Sequence, residues 1–261
     1  MLREGRGQGR GADYKPWLTV RDLSSRGEST RLRGWRSGKR LIHLFSRLER
    51  NFFFTLEWDS SVVDCREQFP LDLERTRSIA DRLHIAHPKS PQTQLPVRMT
   101  TDFLVSRRAN GSEVHQALSV KPLEGIELAG STHPKSVKRN WEKFHIELEY
   151  WKGLGVPLQW VTERDFSLVL AQNVRSVHSF RDLGSLAPLT DRDVELIEAD
   201  LFPRVTAGGQ SLAALAAACD VRFGLPPGKS LRVVKHLVAQ KRWKVDFGVP
   251  FDASYPVNLW K

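Results

Sequence analysis

Two strand-like segments joined by Asn110-Gly111 restrict the fold of this chain more than any other feature. The sequence reads MTTDFLVSRR before ANGS and EVHQALSVKP after it. Asn-Gly is the strongest short-range signal for a two-residue turn between antiparallel strands. A tight turn here places Asp102 opposite Ser119, and Lys121 follows on the same face because strand side chains alternate. We therefore expect a carboxylate, a small polar side chain and an ammonium on one surface of a sheet.

These three side chains suit a reaction at a phosphodiester. Mg²⁺ prefers oxygen ligands, commonly one or two carboxylates completed by water and phosphate. The bound ion lowers the pKa of a water molecule, and a nearby lysine orients that water or stabilises the developing charge. An ordinary hairpin with an Asp102–Lys121 pair on its surface explains the same residues, and slipping the register by one residue would separate them. The spacing alone leaves both interpretations open.

The positive charge of the chain is concentrated at its amino terminus. The net charge is +10 over 261 residues, and residues 1–50 hold 13 Lys and Arg against 5 Asp and Glu. A basic, Gly-rich segment over about residues 1–40 predicts an arm that contacts DNA phosphates, with a disordered, solubilising terminus as the alternative. Trp17 and Trp35 favour packing of parts of this arm on the rest of the protein. The candidate phosphate contacts are Arg6, Arg10, Lys15, Arg36, Lys39 and Arg40.

Cysteine content and hydropathy bear on the cellular compartment. Cys65 and Cys219 are too few and too far apart for a disulfide framework or a zinc site. We therefore expect a reduced, cytoplasmic protein. No segment has the apolar length of a membrane span, and no apolar signal sequence begins the chain. Secretion and a membrane partner are not expected.

Before residue 162, the predicted elements are those of a mixed sheet flanked by helices. Besides the hairpin, they are helices at 46–58, 71–85 and 135–152 and strands at 62–69 and 157–161. The apolar residues of the third helix, near helical spacing, are Trp141, Phe144, Leu148 and Trp151. We expect residues 1–161 to form one α/β domain.

A second, smaller unit is predicted over residues 162–261. Helical patterns cover 163–180, 190–202, 209–219 and 229–241, and strand-like segments follow at 243–247 and 257–260. Helices followed by a strand pair are typical of a winged helix, a DNA-binding relative of the helix-turn-helix. Docking of a partner protein is the alternative use of this unit. Its candidate phosphate contacts are Arg232, Lys235, Lys241 and Arg242.

Several long segments resemble a known family. They are EGRGQGRGADYKPWLTV at 4–20, LFSRLERNFFFTLEWDSSVVDCREQFPL at 44–71 and ELEYWKGLGVPLQWVTERDF at 147–166, with TTDFLV and ALSVKP from the hairpin. In consistent order, these segments resemble TnsA, the endonuclease subunit of heteromeric cut-and-paste transposases. The resemblance implies an α/β fold with a restriction-endonuclease-like mixed-sheet core. The smaller carboxy-terminal unit is expected to be mainly helical and winged-helix-like.

The resemblance also implies which residues form the active site. TnsA proteins use an acid on a helix, an acid on a strand and Gln-x-Lys on the next strand. The matching residues here are Glu49, Asp102 and Lys121, with Glu49, Asp102 and the Val120 carbonyl holding Mg²⁺, or Mn²⁺ in its place. Ser119 stands at the Gln position, which changes one contact near the metal and keeps both acids and the lysine. Glu49 rests on the resemblance alone, because a helix glutamate between two arginines is otherwise a surface residue.

By this resemblance the chain is a Mg²⁺-dependent endonuclease that cuts the 5′ ends of a DNA transposon, associated with the bacterial nucleoid during transposition. The implied partners are double-stranded DNA at transposon ends, a TnsB-type transposase, and a TnsC-type ATPase that docks on the carboxy-terminal unit. A stand-alone restriction or repair nuclease of the same fold is one alternative. A non-catalytic assembly adaptor, with Ser119 as a first sign of lost chemistry, is the other.

Overall fold

A computed structural model describes residues 1–22, 28–129 and 132–260. The chain forms two units, one ending at Phe166 and one beginning at Ser167. Helices and strands are both present, and the largest sheet combines parallel and antiparallel pairs. The predicted α/β class is confirmed.

The first unit alternates strands and helices along the chain. Strands β1 (Thr30–Arg33) and β2 (Leu41–Leu44) form an antiparallel pair that precedes helix α1 (Arg47–Trp58). The elements that follow are β3 (Val62–Pro70), α2 (Leu73–Arg82), β4 (Thr100–Ala109), β5 (Ser112–Val120), α3 (Pro134–Lys152) and β6 (Leu158–Val161).

Strands β3 to β6 form one sheet in the order β3-β4-β5-β6. The first two pairings are antiparallel, and β5 pairs with β6 in parallel. A tight turn cannot join two parallel strands, so the chain crosses over through α3 between them. The crossover places the end of β6 beside the end of β5, where the Lys121 N–H donates to the Val161 carbonyl at 2.9 Å.

The turn between β4 and β5 has the predicted register. Asn110 and Gly111 have positive φ angles of 50° and 78°, as a type I′ turn requires. Pairing with β5 runs without a break from the turn to Phe103. The pairing ends at Phe103 opposite Leu118, one residue before Asp102 and Ser119.

Helices cover both faces of this sheet. On one face, α1 contributes Phe52 and Phe53 to a core that includes Phe103 and Leu118. On the other face, α2 and α3 pack on Leu104 and its neighbours. The residues of α3 that are buried are Val137, Ile146, Glu147, Tyr150 and Trp151, whereas the predicted core residue Trp141 is 40% exposed. Apolar side chains from helices therefore cover both faces of the sheet.

The amino-terminal segment packs along β3. Tyr14 is buried, and its hydroxyl donates to the Glu67 carbonyl at 3.0 Å. The Gly11 N–H donates to Asp64 Oδ2 at 3.2 Å. Gly7 has a φ of 79°, and a Cβ there would lie 2.2 Å from Cγ of Pro70. The glycines of GRGQGRG therefore permit a close approach of this segment to the body of the unit.

The second unit is mainly helical. Its helices are α4 (Leu168–His178), α5 (Asp191–Ala207), α6 (Leu212–Phe223) and α7 (Lys229–Ala239), and its antiparallel strands are β7 (Lys244–Val245) and β8 (Leu259–Trp260). Trp243, Leu237 and Leu201 are fully buried in its core. The predicted strand at 243–247 contracts to two residues, because the chain turns at 246–249 after Val245.

No helix in the described part of the chain combines the length and the apolar character needed to cross a membrane.

Candidate active site

Asp102 and Lys121 meet at the end of the hairpin, as the register predicts. The Lys121 Nζ lies 3.3 Å from Asp102 Oδ2 and 3.0 Å from the Val120 carbonyl oxygen. The Val120 N–H donates to the same Asp102 oxygen at 2.7 Å. The ammonium therefore bridges the Asp102 carboxylate and the Val120 carbonyl. The charge of Asp102, more than any other influence, raises the pKa of Lys121, which stays protonated.

Glu49 approaches this pair from the first turn of α1. Ser46 caps the helix by accepting a hydrogen bond from the Glu49 N–H at 3.0 Å. In return, the Glu49 carboxylate accepts from the Phe45 N–H and from the Ser46 hydroxyl, each at 3.0 Å. The cap thus fixes the side chain as well as the helix end.

The electrostatics of Glu49 link it to Asp102. Glu49 is 8% exposed, and this burial, followed by the negative charge of Asp102, raises its pKa to about 7. Lys121 opposes the shift. Two carboxyl groups that repel each other across a short space, beside one ammonium, form a site that favours an additional positive charge.

A further carboxyl group, Glu147, enters from α3 and was not among the predicted site residues. The Ser119 hydroxyl lies 2.8 and 2.7 Å from its two oxygens, and the Thr101 hydroxyl also contacts it. Trp151 Nε1 donates to Thr101 at 2.8 Å and completes a buried network. Burial, with the charge of Asp102 as a lesser contribution, raises the pKa of Glu147 to about 7.

The sequence held a signal for Glu147. It lies four residues before Trp151, so a helix places both on one face, and a lone carboxyl group on a buried face needs a polar partner. Ser119 is that partner. The Ser119 hydroxyl is therefore hydrogen-bonded to a carboxylate of α3.

The donor set fits a hard divalent cation. Asp102, Glu49 and the Val120 carbonyl offer only oxygen atoms, the ligands that Mg²⁺ and Mn²⁺ prefer. The Lys121 ammonium already lies within hydrogen-bonding distance of two of these groups, so the position between them accepts positive charge. Within residues 1–22, 28–129 and 132–260, no three His, Cys, Asp or Glu side chains converge on one point. Water and phosphate oxygens must complete such a coordination sphere.

The predicted phosphate contacts of the amino-terminal segment are largely engaged with the protein itself. Arg40 is a correction: its side chain is 7% exposed, and its guanidinium binds Glu67 at 2.8 Å and 2.5 Å. It therefore stabilises the interior and is not presented to DNA. Arg6 binds Asp22 at 2.6 Å, and Arg10 pairs with Glu113.

The other three members of that set also lie near protein acceptors or in a turn. The Lys15 ammonium donates to the Glu4 carbonyl at 3.2 Å, and Arg36 Nε donates to the Glu57 carbonyl at 3.3 Å. Lys39, with a φ of 61°, lies in the turn between β1 and β2 and is exposed.

In the second unit, the candidate cations also have protein partners. Arg232 donates to the Ser185 carbonyl at 2.6 Å, and Arg242 pairs with Glu198. Lys235 lies over the Phe180 ring at 5.3 Å. These contacts tie α7 to the rest of the unit.

Comparison with known proteins identifies the class of the chain. The family model described as "TnsA-like endonuclease N terminal" matches residues 59–163, and the model "TnsA endonuclease C terminal" matches residues 165–247. The chain is a DNA endonuclease with a mixed sheet, in which Asp102 lies on β4 and Lys121 directly follows β5. Glu49 precedes the first matched segment.

The relationship extends over the whole chain. "Transposon Tn7 transposition protein TnsA" of Escherichia coli is 32% identical over 265 aligned positions, which cover 99% of this chain and 88% of that protein. The chain belongs to the TnsA family and is an endonuclease subunit of a Tn7-type transposition system.

Proposed function

We propose that this chain cuts the 5′ ends of a transposon with a divalent cation held by Glu49, Asp102 and the Val120 carbonyl. Mg²⁺ is the proposed ion, and Mn²⁺ can take its place at the same ligands. The observation that carries the proposal is the position of Lys121, whose ammonium contacts both Asp102 and Val120. These contacts gather a carboxylate, a carbonyl and a cation where a phosphodiester would meet them.

Each residue has a role that follows from its contacts. When bound, the ion supplies an acidified water molecule and neutralises charge on the phosphate. Lys121 remains protonated and stabilises the anionic phosphate or orients the water. Asp102 is oriented by the Val120 N–H, and Glu49 by its helix cap. Glu49, with a pKa of about 7, releases its proton near neutral pH when a positive charge arrives.

Ser119 and Glu147 act on the position of β5 and not on the phosphate directly. The Ser119 hydroxyl contacts both Glu147 oxygens, so α3 is held to the strand that ends at Val120, directly before Lys121. This contact supports retention of chemistry despite the serine at the family's Gln position.

The proposed partners of this chain are those expected for a member of the TnsA family. The proposed substrate is double-stranded DNA at the transposon ends. A TnsB-type transposase supplies the cuts on the other strand, and a TnsC-type ATPase docks on the second unit. Exposed members of the amino-terminal segment, such as Lys39 and Arg10, contact DNA away from the scissile phosphate, since Arg10 pairs with Glu113 near the turn end of β5. The proposed compartment is the bacterial cytoplasm, at the nucleoid during transposition.

Cleavage of strand-specifically labelled transposon-end DNA, in the presence of the partner proteins, tests this proposal. Asp102→Asn keeps the shape of the side chain and removes its charge, so we expect loss of 5′-strand cutting with assembly and 3′-strand cutting retained. Retained 5′ cutting by this variant would refute the site. Calorimetry with Mg²⁺ distinguishes an adaptor, since an adaptor shows no difference in metal binding between wild type and Asp102→Asn. Unaided, sequence-specific cutting by the pure protein would favour a stand-alone nuclease.

A further inference from the structure

Three cations follow one another on α3 at intervals of four residues: Lys135, Arg139 and Lys143. Side chains four apart on a helix lie on one face, so we call these residues the α3 cation stripe. Glu147 continues the same spacing and contacts Ser119 within the active site. The stripe therefore begins at the active site and runs for about 12 Å toward the amino terminus of α3.

The stripe is electrostatically coupled to the active site. Partial burial, then the charges of Arg139 and Lys121, lower the pKa of Lys143. Arg139 has one carboxylate partner, Glu142 at 2.7 Å. In the described ranges, neither the Lys143 nor the Lys135 ammonium makes a hydrogen bond or an ion pair, and both residues are exposed. Two lysines of like charge on one helix that lack acidic partners in these ranges favour binding of a polyanion.

The stripe is also held rigidly against the edge of the sheet. The Trp160 ring of β6 packs on Phe144 and Trp141, with ring centroids 4.0 and 4.4 Å away. Trp141 Nε1 donates to the Ile126 carbonyl at 2.9 Å. These contacts hold the backbone of α3 on both sides of Lys143, so the helix position from which this side chain extends is fixed relative to β6. Such fixed positioning suits contacts that set the register of a substrate.

We propose that the α3 cation stripe binds backbone phosphates of the DNA next to the scissile phosphate, with Lys143 nearest the cut. The inference rests on the proposed nuclease function. It assigns to α3 a phosphate-positioning role that the amino-terminal arm cannot fill alone, because Arg40 is buried there. The contacts are to phosphate, so they are independent of base sequence and sensitive to salt.

The test is DNA binding by the full chain as a function of salt. All proteins carry Asp102→Asn to prevent cutting, and the probe is a fluorescein-labelled duplex that contains the transposon end. We expect Lys143→Gln to bind several-fold more weakly at low salt, with a salt slope smaller by about one. Lys143→Arg should restore both quantities. Lys152→Gln is the matched control, since Lys152 lies on the same helix, nine residues away on the opposite side, and should change neither.

Four outcomes overturn the inference. Lys143→Gln can match Lys152→Gln in affinity and slope, or the parent protein can show no salt-dependent binding to the duplex. Alternatively, Lys143→Gln can lose co-purification with the transposase partner at unchanged DNA affinity, which would make the stripe a protein-binding surface. A loss of thermal stability in Lys143→Gln that Lys143→Arg does not restore also counts against a phosphate contact. Failure of the nuclease assignment is recognised separately, by 5′ cutting in the otherwise wild-type Asp102→Asn protein.

Discussion

The buried carboxyl group of Glu147 makes the stability of the metal-free protein depend on pH. Its pKa rises from 4.5 to about 7 on folding. Between these values the folded protein retains a proton that the unfolded chain has lost. The contribution to stability is therefore fully present below pH 4.5, falls as the pH rises to 7 and is constant above it. Glu49 contributes in the same direction.

The size of the effect follows from the shift. One pKa unit corresponds to 1.36 kcal/mol, so Glu147 alone lowers the free energy of unfolding by roughly 3 kcal/mol between pH 4.5 and pH 8. Glu147→Gln imitates the protonated group and can keep the hydrogen bonds to Ser119 and Thr101. We expect this variant to match wild type at pH 4 and to exceed it by up to about 3 kcal/mol at pH 8.

Urea denaturation at several pH values, with a chelator present, measures this difference. His43 and His87 have pKa values lowered by burial, so they act in the opposite direction and are present in both proteins. Comparing variant with wild type therefore isolates Glu147. Glu149→Gln is the control, because Glu149 lies on the same helix, is half-buried and pairs with Arg82, and this variant should leave the slope unchanged. If Glu147→Gln retains the wild-type dependence on pH, the assigned environment of Glu147 is wrong.

Two further substitutions test how the site and the amino-terminal segment are held. Ser46→Ala removes the cap of α1 and one hydrogen bond to the Glu49 carboxylate, so we expect a loss of about 1 kcal/mol in urea denaturation together with slower DNA cleavage; unchanged cleavage would contradict the positioning of Glu49. Gly7→Ala places a Cβ against Pro70, so we expect a loss of about 1–3 kcal/mol. Gly111→Ala shares the positive φ without a neighbour within 4 Å, and an equal loss in both variants would show that packing of Gly7 is unimportant.

The sequence predicts the Asp102–Lys121 part of the site, because the turn between β4 and β5 determines that contact locally. Asn110-Gly111 requires a turn with two positive φ angles, and that turn fixes which residues of β4 and β5 face each other. Asp102 and Lys121 meet for this reason. A register shifted by one residue would have placed the two side chains on opposite faces of the sheet, so the turn residues determine that they meet.

The positions of the other two carboxyl groups of the site, those of Glu49 and Glu147, depend on tertiary packing. Glu49 reaches the pair because α1 lies on one face of the sheet, and Glu147 because α3 lies on the other. No local pattern states which helix covers which face. For α3, the apolar spacing suggested a buried Trp141, yet the buried side of the helix is centred on Ile146 and Tyr150, which brings Glu147 inward.

Charge counts in the amino-terminal segment describe composition and not exposure. Arg40 belongs to a basic stretch, but its guanidinium forms an ion pair with the carboxylate of Glu67 on β3, and this pair is buried. The sequence cannot show this pairing, because the two residues are brought together only when β2 packs beside β3. Within the described residues, Lys135 and Lys143 of α3 make neither a hydrogen bond nor an ion pair, and no sequence pattern predicts a role for these two lysines.

Anomalous diffraction from crystals soaked with Mn²⁺ locates a divalent cation in the protein. We expect a peak about 2.1 Å from an Asp102 carboxylate oxygen and from the Val120 carbonyl oxygen, with Glu49 as a further ligand and Lys121 displaced from between them. Crystals of Asp102→Asn should show no peak there. A strong Mn²⁺ peak bound elsewhere in the chain, with these three oxygen donors free of metal, would contradict this expectation.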